Sequence, residues 1–344
     1  PWAITAIETA VGHAADTRPP AGACWQKSQP WYNNRFERTL LRGAIQQVAM
    51  SGARETRRDD GDVDPAEAFG VVANETRLDI LEALWRAEDP PVSFSDLHDA
   101  VEMRDSAQFN YHLQQLTDQF VVKSDDGYDL RYAGAQVVRA LRAGTFTHHP
   151  DVEPFAVEGA CTRCGGGLEA RYGDEQFRIV CVDCGKSHGQ YPFPPGGLVD
   201  RTDEEIATAF DERVRHLHCL AADGVCPECA GRMHTEIVRG GECCLDVSLR
   251  AEHVCERCRT EFCSPVGLVL LDESTVTAFY ESHGIDLSDR SYWTLPWCVD
   301  DEYATVRSAD PWRVEVRIPL AEERLSVVLD GDLEVRDTDR LSCD

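Results

Sequence analysis

Lysine is nearly absent from this chain. Lys27, Lys123 and Lys186 are the only three in 344 residues, and arginine makes up the rest of the 34 basic side chains. Set against 61 acidic residues they leave a net charge of -27, which denies the chain the broad basic footprint of most nucleic-acid-binding proteins. Long hydrophobic runs are missing too: no stretch of about eighteen apolar residues occurs, so no membrane-spanning helix and no membrane partner are expected. The first residues lack the basic, apolar and small-residue order of a secretory signal, and the expected location is the cytoplasm. The glycine-rich phosphate loop, H-E-x-x-H and the nucleophile elbow are all absent, so nothing points to an enzyme.

What is present is a folding composition with an acidic coat. Hydrophobic residues make up 42%, too many for an acidic disordered tail, so the charge must clothe folded domains, a surface that resembles proteins of salt-accumulating halophiles. At 344 residues, two or three units with separate cores are expected. Residues 1–62 break the pattern: positions 1–50 hold five basic against three acidic residues, no periodicity is sustained, and the first Met is Met50. They read as an upstream extension, with the working protein starting near Met50, or as a disordered leader.

From Asp64 the apolar pattern becomes helical. Asp64 and Pro65 form an N-cap and N1 pair with Glu67 at N3, a capping box ahead of Phe69, Val71 and Val72. Leu78, Ile80, Leu81 and Leu84 fall on one face of a second helix that stops before Pro90 and Pro91. Ser95–Val101 gives a short third helix. Asp105 caps a fourth with Gln108 at N3, in which Phe109, Leu113, Leu116 and Phe120 recur at helical spacing. Val121–Lys123, a turn at Asp125-Asp126-Gly127 and Tyr128–Tyr132 predict a β-hairpin, and Ala135–Ala143 one more helix. That order predicts a winged helix-turn-helix over residues 63–147.

Residues 64–146 resemble the ArsR-like winged-helix transcriptional regulators. The resemblance rests on Ala73-Asn74-Glu75-Thr76-Arg77-Leu78-Asp79-Ile80-Leu81 and on Asn110-Tyr111-His112-Leu113-Gln114-Gln115-Leu116. The whole chain looks like multidomain regulators of halophilic archaea that append zinc ribbons to such a module. The resemblance implies double-stranded DNA as a partner and a homodimer. Metal-sensing members of the family carry Cys-x-Cys on the recognition helix, whereas no cysteine lies here between Cys24 and Cys161, so a thiol sensor in that helix is excluded.

The polar face of the fourth helix is Ser106, Asn110, Gln114 and Thr117, flanked by Tyr111, His112 and Gln115. Short amides and hydroxyls suit base edges in the major groove, Asn and Gln pairing best with adenine. Arg104, Lys123, Arg131 and Arg139 are the few cations placed to approach a phosphate backbone. The bland alternative is a solvated helix face, and His112 suits packing as well as phosphate. Charge opposes the DNA reading: residues 62–146 carry sixteen acidic against seven basic side chains.

Eight of the fifteen cysteines form four C-x-x-C pairs. Cys161, Cys164, Cys181 and Cys184 are two knuckles sixteen residues apart, each followed by glycine, with a hairpin around Gly173-Asp174 between them. Four thiolates close a tetrahedron around Zn²⁺ and leave no place for a catalytic water, so a structural zinc ribbon over 155–198 is expected. Cys₄ alone does not discriminate zinc from iron. A redox C-x-x-C would need a βαβ context, which is missing. The second set, over 223–266, is less clean: Cys226, Cys229, Cys255 and Cys258 repeat the theme, but Cys219, Cys243, Cys244, Cys263, His218, His234 and His253 are close. Cys243 and Cys244 then read as small buried residues of a strand.

A connecting helix over 199–222 starts at Thr202 and turns Ile206, Phe210, Val214 and Leu217 to one side. His216 and His218, two residues apart on it, point apart and read as solvated or packing groups. Residues 267–344 hold a helix, Ser274–Ser282, and short alternating runs that predict antiparallel strands, with Trp293, Trp297 and Trp312 anchoring a small core. The expected architecture is an α+β multidomain chain, a winged helix-turn-helix followed by two Cys₄ zinc ribbons and a small α/β region of mostly antiparallel strands. The expected function is DNA-binding transcriptional regulation with two structural zinc ions. The competing one is an adaptor, similar in outline to basal transcription factor E, that binds the transcription machinery without reading DNA sequence.

Overall fold

The computed structural model describes residues 63–241 and 245–342. The leader with its expected start near Met50, and the pair Cys243 and Cys244, lie outside the described residues. The fold is α+β, with four antiparallel sheets among the described residues.

Helix α1 (Pro65–Val72) is capped by Asp64, whose carboxylate accepts from Ala66 N at 2.8 Å and Glu67 N at 3.3 Å. The cap is one-sided. A return bond from the Asp64 amide to the Glu67 carboxylate would bring two carboxylates together, and none forms among the described residues. Helix α2 (Glu75–Arg86), capped by Asn74, buries Ile80, Leu81 and Leu84. Helix α3 (Phe94–Ala100) begins one residue early because Ser93 supplies the cap, accepting from Asp96 N at 3.2 Å.

Helix α4 (Ser106–Leu116) is capped by Asp105 through Ala107 N and Gln108 N, and it buries Phe109, Leu113 and Leu116. Phe120 reaches the same core from beyond the helix, after Asp118 turns the chain at φ 72. Strands β1 (Val121–Lys123) and β2 (Tyr128–Leu130) pair in the register Val121↔Leu130, and Val92 adds a bridge to Tyr128. That bridge requires Gly127: a Cβ there would stand 2.4 Å from the Val92 carbonyl oxygen, at a φ of +147. Helix α5 (Tyr132–Arg142) starts three residues before the expected Ala135, and the strand ends at Leu130. Arg131 N donates to Phe120 O at 2.9 Å in register with the hairpin, and the helix follows at once, with Arg131 as its N-cap. These elements share one core of Ile80, Leu81, Leu97, Phe109, Leu113 and Val138, among others.

Strands β3 (Phe155–Ala160), β4 (Gly167–Gly173), β5 (Gln176–Cys181) and β6 (Ser187–Pro192) form a meander. The β4–β5 turn is Asp174-Glu175, both at positive φ (52 and 59), so the hairpin tip lies one residue later than expected and has the handedness that suits twisted strands. Helix α6 (Asp203–Ala222) opens with a reciprocal capping box: Thr202 N donates to Glu205 Oε2 at 2.7 Å, and Glu205 N to Thr202 Oγ1 at 3.3 Å. Its residues Ile206, Phe210, Val214 and Leu217 are all buried.

A second meander follows, β7 (Met233–Arg239), β8 (Leu249–Cys255) and β9 (Glu261–Pro265). Helices α7 (Ser274–Glu281) and α8 (Pro296–Val299) lead to a third, β10 (Ala304–Ala309), β11 (Trp312–Leu320), β12 (Glu323–Leu329) and β13 (Val335–Ser342). Strand β11 alternates between the core, through Val314, Val316 and Ile318, and the outer face through Glu315 and Arg317.

One hydrophobic cluster runs through all of this part, joining Phe177 and Ile179 of β5, Phe210 and Val214 of α6, Ala251 of β8, and Val316 and Val327 of the last sheet. Trp293 and Trp297 are buried in that shared cluster and donate to Glu158 O and Tyr280 Oη, while Trp312 is half-buried at its edge. Among the described residues no helix is long and apolar enough to cross a membrane.

Candidate metal centres

The two quartets assemble from strand ends. Cys161 follows β3, Cys181 ends β5, and the chain then turns back on itself at each: Gly165 N donates to Cys161 O at 2.8 Å and Gly185 N to Cys181 O at 3.1 Å. Gly165 and Gly185 sit at φ 74 and 71, the left-handed conformation that closes a knuckle without steric cost. In the second quartet Cys226 and Cys229 lie between α6 and β7, and Cys255 ends β8. Here Ala230 and Arg259 occupy left-handed positions (φ 54 and 66). Neither carries the glycine that marks the first quartet, and each pays a backbone strain of about 1 kcal/mol.

Within each quartet the four sulfurs lie within 4.8 Å of one another. Cys161–Cys184 and Cys164–Cys181 are 3.6 and 3.5 Å apart, and Cys226–Cys258 and Cys229–Cys255 are both 3.6 Å. Sulfurs at about 2.3 Å from a tetrahedral ion stand about 3.8 Å apart, so the donor set is already near the spacing a metal needs. Backbone amides point at the sulfurs: Arg257 N and Cys258 N lie 3.3 and 3.4 Å from Cys255 Sγ, and Cys184 N 3.5 Å from Cys181 Sγ.

The electrostatics suit a cation. Hydrogen bonds from the Thr260 hydroxyl and backbone bring the Cys258 thiol down to about 6, while burial pushes Cys226 up to about 12. Burial raises Cys181, but the amides of Cys184 and Asp183 outweigh it and bring it to about 7. At Cys164 the Gly166 amide lowers the thiol, yet its neighbours Cys181 and Cys184 drive it up to about 12. Four thiolates this close cannot all ionise until a positive ion compensates them.

The eight cysteines singled out in the sequence are the ones brought together, and they are the only metal-capable groups found among the described residues. Cys263, His218, His234 and His253 stay outside both quartets. His216 is exposed, whereas His218 is buried against Tyr191, His253 and Phe262. Sequence reasoning missed an anchor beneath the first quartet. Lys186, directly after the second knuckle, is buried with its Nζ 2.7 Å from Asp300 Oδ2, and Thr162 of the first knuckle donates to the same oxygen at 3.3 Å. The available signal was that Lys186 is one of only three lysines.

On α4, Ser106, Gln114 and Gln115 are exposed, Tyr111 is 57% exposed, and Asn110 and His112 are half-buried. Thr117 turns its hydroxyl back to Leu113 O. Arg104 is exposed; Lys123 lies with Nζ 5.6 Å from the Tyr128 ring centroid. Arg131 donates to the Asp118 carbonyl, and the Arg139 guanidinium stacks over Trp85 at 5.4 Å.

Residues 158–335 match a family described as a domain of unknown function (DUF7351), and residues 65–141 match a second described in the same way (DUF7347). The first span holds both quartets and most of the three larger sheets, the second the helices around α4. No curated protein and no solved structure matches the chain.

Proposed function

We propose that this chain, which belongs to the DUF7351 family, is a DNA-binding transcriptional regulator whose helical module is a winged helix-turn-helix of ArsR-like type. The observation that carries the reading is α4. Phe109, Leu113 and Leu116 fix it in the core, while Ser106, Gln114 and Gln115 stand outward with Asn110 beside them, directly after a short α3 and before a two-stranded hairpin. In this reading α4 enters the major groove, its amides read base edges, and Arg104 and Lys123 meet phosphates. Phe69 on α1 and Tyr132 on α5, each 74% exposed, supply apolar surface for a homodimer.

The quartets act as zinc ribbons in the same reading. All four positions of each are thiolate, so an ion there is closed to substrate and serves to fold the knuckles and hold interaction surface. Footprinting of the fragment upstream of its own gene, in molar potassium chloride, tests the DNA reading. Protection that disappears in Asn110→Ala/Gln114→Ala supports it, and protection that is unchanged in that variant overturns the role of α4.

The excess of acidic residues in the module favours a second reading, an adaptor that binds the transcription machinery without reading DNA. Polymerase co-purifying with the chain, with no protected DNA, selects that alternative.

A further inference from the structure

Beside its core stripe, α6 carries a second stripe that faces a groove. Ala209, Arg213, His216 and Leu220 follow one another at helical spacing, and together with Phe193, Arg201 and the knuckle residue Glu228 they line an open groove of about 430 Å³. That volume is of the size that takes a small organic molecule. The groove lies outside α4 and outside both quartets, although Pro227 and Glu228 on its rim sit between the ligand cysteines Cys226 and Cys229.

Two arginines, Arg201 and Arg213, line it beside Glu228. Some arginines are neutralised by carboxylates at short range, Arg215 by Asp211 at 2.6 Å, Arg250 by Glu252 at 2.6 Å and Arg307 by Glu315 at 2.7 Å, while others, such as Arg77 and Arg131, donate to backbone carbonyls. In the groove the two guanidiniums are held by backbone carbonyls. Arg201 Nη1 donates to Gly197 O at 2.8 Å, and Arg213 Nε to Pro192 O at 3.1 Å. Arg213 Nη2 also pairs with Glu228 Oε1 at 3.5 Å, and Arg201 acts on Glu205 through space. Both side chains are therefore oriented in advance while further N–H donors remain for a ligand. Of the apolar residues that line it, Leu220 is 39% exposed, and Phe193 and Leu217 are buried.

We infer that this groove binds a small carboxylate with an apolar ring body, its carboxylate at Arg201 and Arg213 and its body against Phe193 and Leu220. A guanidinium matches the planar carboxylate in a two-point contact, and in a chain of net charge -27 only a site with positive groups set in place gathers an organic anion. The inference does not depend on DNA binding, and the footprinting result and the ligand result can each fail alone.

Calorimetric titration of the full, zinc-loaded chain with 1-naphthoate, 1-naphthamide and acetate separates the contributions of charge and body. Naphthoate is expected to bind once per chain, at least about tenfold more tightly than the uncharged amide or the bodiless acid, a difference of about 1.4 kcal/mol. Arg213→Gln and Leu220→Asp should each weaken naphthoate about tenfold. Arg201→Gln gives the same test at a side chain held by the Gly197 carbonyl, should Arg213→Gln disturb the fold. Equal binding of naphthoate and naphthamide, unchanged affinity in Arg201→Gln/Arg213→Gln, or no saturable binding at millimolar naphthoate would each overturn the proposal.

Discussion

Asp300→Asn removes the partner of a lysine whose side chain is only 2% exposed. At the observed 2.7 Å, and an effective dielectric of about 20, the attraction between Lys186 and Asp300 is about 6 kcal/mol. Desolvating the two ions costs several kcal/mol each, so the intact pair is close to break-even. The single substitution keeps the cost of burying the ammonium and discards most of the attraction, and it weakens the bond from Thr162 as well. Stability should fall by about 3–5 kcal/mol. Urea unfolding of the metal-loaded protein, followed by tryptophan fluorescence, measures this directly. Lys186→Met/Asp300→Leu, which removes both charges, should recover most of the loss, and the cycle isolates the coupling. A single variant within about 1 kcal/mol of the parent, or a double variant as unstable as the single, refutes the reasoning.

Other expectations follow from the same structure. Metal analysis should return close to two ions per chain, and Cys226→Ser should lose one of them while leaving the first quartet loaded; one ion in the parent would contradict the pairing of the second quartet. Gly127→Ala forces a Cβ to 2.4 Å from the Val92 carbonyl at positive φ and should destabilise the helical module by about 2–4 kcal/mol; a melting temperature equal to the parent's would show that the bridge can yield. Glu315 is buried, which alone would raise its carboxyl, but Arg307, Ser326 and Arg317 together hold it down at about 2. A carboxyl depressed in the folded state contributes stability above its ordinary range and loses it as pH falls through the folded value, so the contribution should fade between pH 4.5 and about 2. The stability difference between the parent and Glu315→Gln, on the order of 1–3 kcal/mol at pH 6, should close over that window; a difference independent of pH would refute it.

The helices were legible because their signals are local. Asp64, Asn74 and Asp105 each cap within three residues, and Phe109, Leu113 and Leu116 declare a buried face by spacing alone. The knuckles were legible for the same reason: two thiols on one tight turn announce themselves. The choice of Cys226, Cys229, Cys255 and Cys258 over nearby thiols and imidazoles rested on repetition of the first quartet, and the fold brings those four together.

What could not be read depends on distant pairing. Lys186 and Asp300 are 114 residues apart. Strand β13 is exposed at nearly every position and lacks alternation, and the expected run stopped at Val335; its pairing with β12 from Val335 to Ser342 makes it a strand. Trp293 and Trp297 lie in a cluster shared with β5 and α6, a connection their own neighbourhood does not reveal.

In both quartets the first cysteine of each pair is buried and the second is exposed. A metal ion held there is therefore gripped from inside by Cys161 and Cys181, or Cys226 and Cys255, and covered from outside only by two thiolates in contact with water. A chelator approaching such an ion would meet the two outer sulfurs first, with the two inner ones covered by the core.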